Sequence, residues 1–472
     1  MRRHRVRLFL LLPILALVFG LVLFALHLAE RPFQALIDQG DEHARLGERT
    51  AAVVAYQEAA LLRPDDPLPH LRLAQVYLDW GRPAEVLAVL SAAERLGAGG
   101  PSDPSVRQMQ LAAYVAQGDW VAVVDLAGEA DITPLLDRDE RHDLARACVE
   151  LGEWDVAQDV YRALLADDED DRMAHERLGI LLLGDDPEAF QHLYAARTIL
   201  SNSLLTVLNE PGVAEDPAYA SGLVGEVLFE AGEWSLAVRQ FERAISFSPD
   251  YSSAHAYLGY ALDAMGRSVE AGVHLRQAVE LAPDSVLART FLGLHLRRMD
   301  DITAARAEFE AAYDLDPLNP ATCVEIGETW AAEGRYVAAE IWLREAVSLA
   351  PGDPVLWEIL TRFYLDHNLS TSGEALEAAE ALLALAPDDP ASHDLHGWAA
   401  LQMGNDELAE ESLLRALALD SSLASAHYHL GLVYRLRGDQ VAAQEAFARA
   451  LDLDTIGDLT PLIERAMAGA MP

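Results

Sequence analysis

Small and aromatic residues recur along this chain at the spacing of paired helices. In the stretch 429–454, the positions on one helical stripe are Gly431, Tyr434, Ala443, Phe447 and Ala450, with Gly438 between the two halves. Apolar positions three and four residues apart on both sides of a turn glycine predict a helical hairpin. The stretch has no catalytic constellation, so its regular spacing indicates a role in helix packing.

The same pattern returns at a period of about 34 residues. Its anchor pairs are Val224-Gly225, Leu258-Gly259, Leu292-Gly293, Ile326-Gly327, His396-Gly397 and Leu430-Gly431. Between Leu360 and His396 the interval is longer, and the turn segment 368–373 accommodates the extra residues. The sequence therefore predicts a regular array of hairpins over 219–456.

The N-terminal half, 33–208, shows a degenerate form of the same pattern. Its anchors include Gly40 with Tyr56, Leu73-Ala74, Tyr114 with Trp120, Leu144-Ala145 and Leu178-Gly179. The interval to the next anchor, Val224, is too long for one repeat. We expect the surplus to extend one helix through 188–208 and to continue in a linker loop, 209–218. This region is either a hinge between two subarrays or a tolerated insertion, which repeat arrays absorb as loops.

These motifs resemble the tetratricopeptide repeat (TPR) family. Leu430-Gly431-Leu432-Val433-Tyr434 and the following Ala443 and Phe447 match its consensus blocks, and Pro249, Pro283, Pro317 and Pro351 stand where its repeats end. The resemblance implies an all-α, right-handed superhelical solenoid of stacked helical hairpins. It also implies a scaffold that holds peptides or helices of partner proteins in a concave groove.

The residue types fit that architecture. Gly and Ala at fixed positions let two antiparallel helices approach closely, and large residues fill the space between them. One hairpin cannot bury both of its faces, so the repeats must stack on each other. The last segment, 457–472, reads as a capping helix and tail, with Asp458 or Thr460 as the N-cap and Pro461 in the first turn.

The first residues predict a membrane anchor. Four Arg lie in the basic segment 1–7, and an uncharged apolar run occupies 8–29. About 20 apolar residues cross a bilayer as a helix. The positive-inside rule would keep the N-terminus cytoplasmic and place the repeats outside the cytoplasm, in a bacterial envelope. The alternative is a cleaved signal peptide, but the apolar run is longer than usual and no small-residue cleavage site follows it.

Charge and composition exclude several classes of function. The chain has 35 basic and 76 acidic residues, a net charge of −41, so nucleic acid is not an expected partner. Partners with basic segments are favoured instead. The acidic run 167–171 could suggest calcium, but it lacks the glycine and the spaced ligands of an EF-hand loop, and a solvated turn is the simpler interpretation.

Nothing in the sequence predicts an enzyme. All basic residues are Arg, so a phosphate-loop lysine or a Schiff-base lysine is absent. The zinc-protease and serine-hydrolase motifs are absent as well. We therefore expect no catalytic residues, no cofactor and no small-molecule substrate.

Histidine and cysteine do not form a predicted metal site. His427 and His429 point about 200° apart around a helix, and His396 takes a buried anchor position. His255, His393 and His427 share one repeat position, so their recurrence follows from the repeat. Cys148 and Cys323, the two cysteines, fall on packing positions of first helices.

The family resemblance also assigns a binding face. In this family the groove is lined by positions two, five, nine, twelve and thirteen of the first helix of each repeat. On the present register these positions hold Glu226, Tyr260, Arg297, Arg298, Glu328, Glu358, Arg362, Trp398, Tyr428 and Arg435. Tyr, Trp and Arg most often dominate interface energies, although the aromatic residues could instead fill the narrow inner face.

The sequence thus predicts a membrane-anchored, extracytoplasmic protein-binding scaffold. The alternative function is an accessory subunit of an envelope polysaccharide or secretion complex.

Overall fold

A computed structural model describes residues 32–97, 104–129, 136–184, 186–369, 373–455 and 457–468. Within these ranges every regular element is helical, which confirms the predicted all-α repeat architecture. The predicted anchor, 8–29, lies outside the described residues. Among the helices that are described, none has both the length and the apolar character needed to span a bilayer.

The chain divides into two compact units at Leu151 and Gly152. The helices of the first unit are α1 (32–45), α2 (Arg49–Leu62), α3 (Leu68–Asp79), α4 (Pro83–Arg95), α5 (Pro104–Gln117), α6 (Trp120–Glu129) and α7 (Arg138–Glu150). Successive helices pair as antiparallel hairpins, α1 with α2, α3 with α4 and α5 with α6. Phe33, Ile37 and Tyr56 are buried in the first of these hairpins.

The second unit begins with α8 (Trp154–Asp167), α9 (Arg172–Leu182), α10 (Glu188–Ala196), α11 (Ile199–Leu208) and a short 3-10 helix, Val213–Glu215. The regular repeats follow as α12 (Pro217–Glu230), α13 (Trp234–Phe247), α14 (Ser252–Ala264), α15 (Ser268–Leu281), α16 (Val286–Arg298), α17 (Ile302–Leu315), α18 (Pro320–Ala332), α19 (Tyr336–Leu349), α20 (Pro354–Asp366), α21 (Glu374–Leu385), α22 (Pro390–Gln402), α23 (Asp406–Leu419), α24 (Ala424–Leu436) and α25 (Gln440–Leu453). The last helix is α26 (Thr460–Met467). In each regular repeat the even-numbered helix comes first and packs on the next one.

The contact between the two helices of each hairpin explains why small residues recur at a fixed spacing along the chain. A Cβ atom added to Gly431 would lie 2.5 Å from Cε1 of Phe447, so only glycine admits the ring at this position. Ala443 and Ala450, at the same contact, are 2% and 0% exposed. The predicted register of the hairpin is therefore confirmed by its packing.

The turn between the two helices requires a left-handed residue. Gly438 provides it with φ 84° in the last repeat, whereas Asp300 and Asn368 take φ 64° and 52° in two repeats that lack this glycine. Asp and Asn tolerate this conformation better than other non-glycine residues. Asn368 begins the turn in which the sequence predicts the extra residues of its repeat.

The predicted continuous helix over 188–208 is wrong. The chain breaks at Arg197, which has a left-handed φ of 55°. Thr198 then caps α11 by accepting a hydrogen bond from the backbone N–H of Ser201 at 3.0 Å. Thr198 followed three residues later by the polar Ser201 forms an N-cap, which favours the start of a new helix over continuation of α10.

Arginine side chains join α9 directly to α13 across this insertion. Arg239 donates to the carbonyl oxygen of Leu181 at 2.8 Å, and Arg243 donates to those of Leu183 at 2.7 Å and Gly184 at 2.6 Å. These carbonyl groups lie at the C-terminal end of α9, where the helix itself provides no partners. The contacts favour the interpretation of the extra residues as a tolerated insertion.

The capping helix is present, but its N-cap differs from the prediction. Asp454, at the end of α25, accepts hydrogen bonds from the N–H groups of Leu459 at 3.1 Å and Thr460 at 2.7 Å, and from the Thr460 hydroxyl at 2.8 Å. The prediction of Asp458 or Thr460 is wrong because it assumed a cap next to the helix start. The capping carboxylate instead belongs to Asp454 at the end of α25, and the connection to α26 bends back so that its N–H groups reach this side chain.

Candidate functional site

A cavity of about 600 Å³ lies on the first-helix face of the last three repeats. Its walls come from α20, α22 and α24, and α26 closes one end. The structure brings together four of the predicted groove residues here, Arg362, Trp398, Tyr428 and Arg435. The rest of the lining is mainly leucine: Leu365, Leu395, Leu401, Leu432, Leu436, Leu459 and Leu462.

The lining follows the repeat register closely. Trp398 and Leu432 occupy position nine, Leu401 and Arg435 occupy position twelve, and Gln402 occupies position thirteen. The sequence prediction named only the polar and aromatic members of these positions. Applying the same positions to every residue type would also have found Leu365, Leu401, Leu432 and Leu436, but not Leu395, Leu459 or Leu462.

A buried hydrogen-bonded pair forms the floor of the cavity. His429 Nδ1 and Asp394 Oδ1 are 2.7 Å apart, and each side chain is 7% exposed. The Trp398 ring stacks on the His429 ring, with centroids 4.8 Å apart and planes at 18°. This pair satisfies both polar groups and orients the Trp398 ring toward the cavity.

The aromatic residues of the cavity differ in accessibility. Trp398 is half-buried and can contact an occupant. Only 5% of Tyr428 is exposed, and its ring packs near Phe447 at a centroid distance of 6.1 Å. For Tyr428 this favours the interpretation that the aromatic ring fills the inner face.

The arginine side chains of the cavity are held by protein contacts, and one buried amide oxygen has no hydrogen-bond partner among the described residues. Arg362 donates to Glu358 Oε1 at 2.8 Å, and Arg435 donates to the Ala466 carbonyl at 2.9 Å. Gln402 donates to the Leu365 carbonyl at 3.1 Å, while its buried Oε1 accepts no hydrogen bond from any described residue. A buried acceptor of this kind favours an N–H donor on an occupant.

A smaller cavity of about 320 Å³ brings together Tyr260, Arg297 and Arg298 with Leu294. Both arginines are already neutralised, Arg297 by Glu325 at 2.8 Å and Arg298 by Asp263 at 2.9 Å. They are therefore less available to an acidic partner than the sequence suggests.

The three remaining predicted residues lie apart from one another. Glu358 pairs with Arg362, as described above, and Glu328 is exposed on α18. Glu226 is half-buried on α12, and burial followed by the neighbouring charge of Glu230 raises the pKa of its carboxyl.

The recurring histidines have a structural contact that the sequence did not reveal. His255, His393 and His427 each place Nε2 near a carbonyl oxygen six residues earlier, at 3.0, 2.9 and 3.1 Å. At the same repeat position, Arg289 and Trp357 donate to the carbonyls of Pro283 and Pro351. In these five repeats the residue at this position contacts a backbone carbonyl of the turn between repeats.

The described part of the chain has no cluster of side chains suited to bind a metal ion. No group of three or more His, Cys, Asp or Glu side chains is placed there to hold an ion. Within the acidic run 167–171, Asp171 is a buried N-cap that accepts from the Ala174 N–H at 3.0 Å. Cys148 and Cys323 are 1% and 0% exposed, in agreement with their predicted packing positions.

Comparison with known families now identifies the repeat. A family model described as a tetratricopeptide repeat matches residues 37–101, 142–203, 291–354 and 395–455, which is more than half of the chain. The chain belongs to the tetratricopeptide repeat family. A second model, described as a TPR repeat, matches residues 225–266. TPR proteins serve as protein–protein interaction scaffolds and are typically non-enzymatic.

Similar solved structures include other TPR proteins. Yeast Tom70 is 16% identical, with 93% of this chain and 96% of that chain covered and a TM-score of 0.41. A tetratricopeptide repeat protein from Parabacteroides merdae is 12% identical, with 53% and 98% covered and a TM-score of 0.42. YrrB, described as a TPR protein with an unusual peptide-binding site, is 18% identical, with 41% and 97% covered and a TM-score of 0.33. No curated protein matches the sequence.

Proposed function

We propose that this TPR protein is a membrane-anchored, extracytoplasmic scaffold that holds a segment of a partner protein in the cavity of its last three repeats. The cavity of about 600 Å³ carries the proposal, because three consecutive first helices and the capping helix converge on it. A volume of this size is within the range of about 300–1,000 Å³ typical of ligand pockets.

The lining determines which kind of segment fits. Leucines and Trp398 offer an apolar surface, and the Gln402 acceptor can take one backbone or side-chain N–H. The occupant that matches is an apolar side chain with the adjoining backbone of a peptide or helix. Asp394, Arg362 and Arg435 are held by contacts within the protein, so we expect them to orient an occupant more than to attract it. Asp366, also in the lining, is an exposed carboxylate.

The membrane part of the proposal is supported by the sequence. The uncharged run 8–29 follows a basic segment, the arrangement that retains an N-terminus in the cytoplasm. A reporter that folds only outside the cytoplasm, fused to the C-terminus, should be active. A processed N-terminus near Ala29 would contradict the anchor, and an inactive reporter would contradict the orientation.

Site-specific photo-crosslinking in intact membranes tests the binding site. A photoreactive side chain at Leu462, on the exposed rim of the cavity, should crosslink a partner protein. The matched control is Val269 on α15, which is 86% exposed and lies away from the cavity. Trp398→Ala should weaken the interaction by about 1–3 kcal/mol while leaving the repeats folded.

Two results of this experiment would contradict the proposal. Equal crosslinking from Leu462 and Val269 would show that the cavity is not the binding site. Unweakened binding by the Trp398→Ala variant would lead to the same conclusion. Recovery of a polymerase, glycosyltransferase or translocase as the crosslinked protein would favour the alternative role of an accessory subunit in an envelope complex.

A further inference from the structure

A second surface, on α12, the first residue of α13, α14 and α16, combines half-buried aromatic rings with carboxylates. Phe229 lies at the centre, with ring centroids 5.2 Å from Trp234, 5.1 Å from Tyr257, 5.3 Å from Tyr260 and 6.1 Å from Phe291. Each of these five residues is half-buried, so one side of the cluster remains accessible. We call these five residues the aromatic face.

Two carboxylates border the aromatic face, and neither pairs with a cation among the described residues. Glu226 and Glu230 lie on α12, about one turn apart, and share a side of the helix next to Phe229. Neither forms a hydrogen bond or an ion pair with any residue in the described ranges, and no cation contributes to the raised pKa of Glu226. The negative charge of Glu226 also raises the pKa of Tyr257, after burial, which places the carboxylate beside the aromatic ring.

The neighbouring charges on the same helices behave differently. Asp263, one repeat further on, accepts from Arg298 at 2.9 Å, from Ser268 at 2.7 Å and lies 3.0 Å from His295. Its charge is therefore compensated inside the protein. Glu226 and Glu230 are an uncompensated pair on a chain whose net charge is −41.

We propose that the aromatic face with Glu226 and Glu230 binds an arginine-bearing segment of a partner protein. A guanidinium group stacks on aromatic faces and is weakly hydrated, so it can lie on half-buried rings while it pairs with a carboxylate. Charge complementarity selects this occupant, because an acidic segment would meet two more negative charges. The two cations beside Tyr260, Arg297 and Arg298, are already paired with Glu325 and Asp263. The inference rests on the scaffold function proposed above and adds the chemistry of a second contact, separate from the cavity.

Peptide binding to the full-length protein in detergent tests this proposal. The probe is a fluorescein-labelled peptide of alternating arginine and glycine, and the reference probe has citrulline, the neutral isostere, in place of each arginine. Fluorescence anisotropy should show the citrulline peptide binding at least about tenfold more weakly. Tyr260→Leu, which keeps an apolar side chain but removes the π-face, should weaken the arginine peptide by about 3- to 30-fold.

A charge-matched pair of variants separates a local site from general acidity. Glu226→Gln should weaken the arginine peptide by about fivefold or more, as expected for the loss of one close charge pair. Glu328→Gln removes the same charge at the same repeat position, on α18, where no aromatic face lies beside it, and should change binding by less than about twofold.

Three outcomes would overturn the inference. Equal weakening by Glu226→Gln and Glu328→Gln would show that diffuse acidity attracts the peptide. Equal binding of the citrulline and arginine peptides would show an apolar contact without charge recognition, and no binding of the arginine peptide would remove the site. Because the cavity is tested by crosslinking at Leu462, either surface can fail while the other stands.

Discussion

The cavity of the last three repeats and the aromatic face of α12, α13, α14 and α16 share several repeat positions but differ in charge compensation. In the cavity, Asp394 is bonded to His429 and buried with it. On the aromatic face, Glu226 and Glu230 have no partner among the described residues. One repeat scaffold therefore presents a leucine-lined pocket whose buried floor is internally hydrogen-bonded, and an acidic aromatic surface. The difference depends on whether neighbouring repeats supply a matching cation or hydrogen-bond donor.

The largest effect should come from breaking the compensated pair in the cavity. Asp394→Ala leaves His429 buried without its hydrogen-bond partner, and a buried polar group that loses its partner costs about 1–3 kcal/mol. Urea unfolding followed by circular dichroism, with hydrogen exchange on α22 and α24, measures the loss. A change below about 0.5 kcal/mol, the range of ordinary surface substitutions, would show that the pair contributes nothing to the floor of the cavity.

A smaller effect is expected where α26 closes the cavity. Asp454→Ala removes the carboxylate that accepts from Leu459 and Thr460, and loss of a helix cap costs about 0.5–2 kcal/mol. Amide hydrogen exchange should then become faster in α26, while α22 keeps its protection. The matched control is Asp458→Ala, because Asp458 is exposed and makes no contact of this kind. Faster exchange in the control alone would restore the sequence-based assignment of the cap.

The register of the hairpins and the cap of α26 differ in how well the sequence predicts them. The register of the hairpins was predictable because close packing fixes it: Gly431 must face Phe447, and the positions around it follow. The same register identified the faces on which Trp398 and Tyr260 lie. A cap from Asp454, six residues before Thr460, needs a folded connection that no local pattern specifies.

Charge compensation was also beyond the sequence. Arg298 and Asp263 are in different repeats, and their pairing depends on side-chain conformations that the repeat consensus does not determine. The break at Arg197 is a further example, since the apolar spacing continues through it while the backbone takes a left-handed turn. The sequence thus predicts which positions face a partner, whereas the structure is needed to show which of them carry an unbalanced charge.

Added salt should weaken binding at the two surfaces by different amounts, and we expect this difference to be smaller than the effects of the substitutions above. The Debye length falls from about 10 Å at 0.1 M salt to about 3 Å at 1 M, so binding of the arginine peptide to the aromatic face should weaken severalfold over this range. Crosslinking at the cavity should change less, because leucine and Trp398 contacts are not screened. Anisotropy titrations and crosslinking yields at both salt concentrations measure the contrast. Equal salt dependence at the two sites would contradict the distinction drawn between them.

The smallest predicted effect concerns the free protein and has the opposite sign to that of Asp394→Ala. Burial, and then the charge of Glu230, raises the pKa of Glu226 in the folded state. Because the folded protein holds the proton of Glu226 more tightly than the unfolded chain does, ionisation of this group lowers stability at every pH above its unfolded pKa of about 4.3. Glu226→Gln should therefore raise the melting temperature slightly at pH 7, and the gain should fade as the pH drops below that value.

Glu328→Gln, the exposed control, should shift stability by no more than about 0.5 kcal/mol at either pH. Thermal melts of both variants at pH 7 and at acidic pH make the measurement. A loss of stability in Glu226→Gln at pH 7 would mean that the carboxylate has a stabilising partner, and the aromatic face would then be compensated in the same way as the cavity.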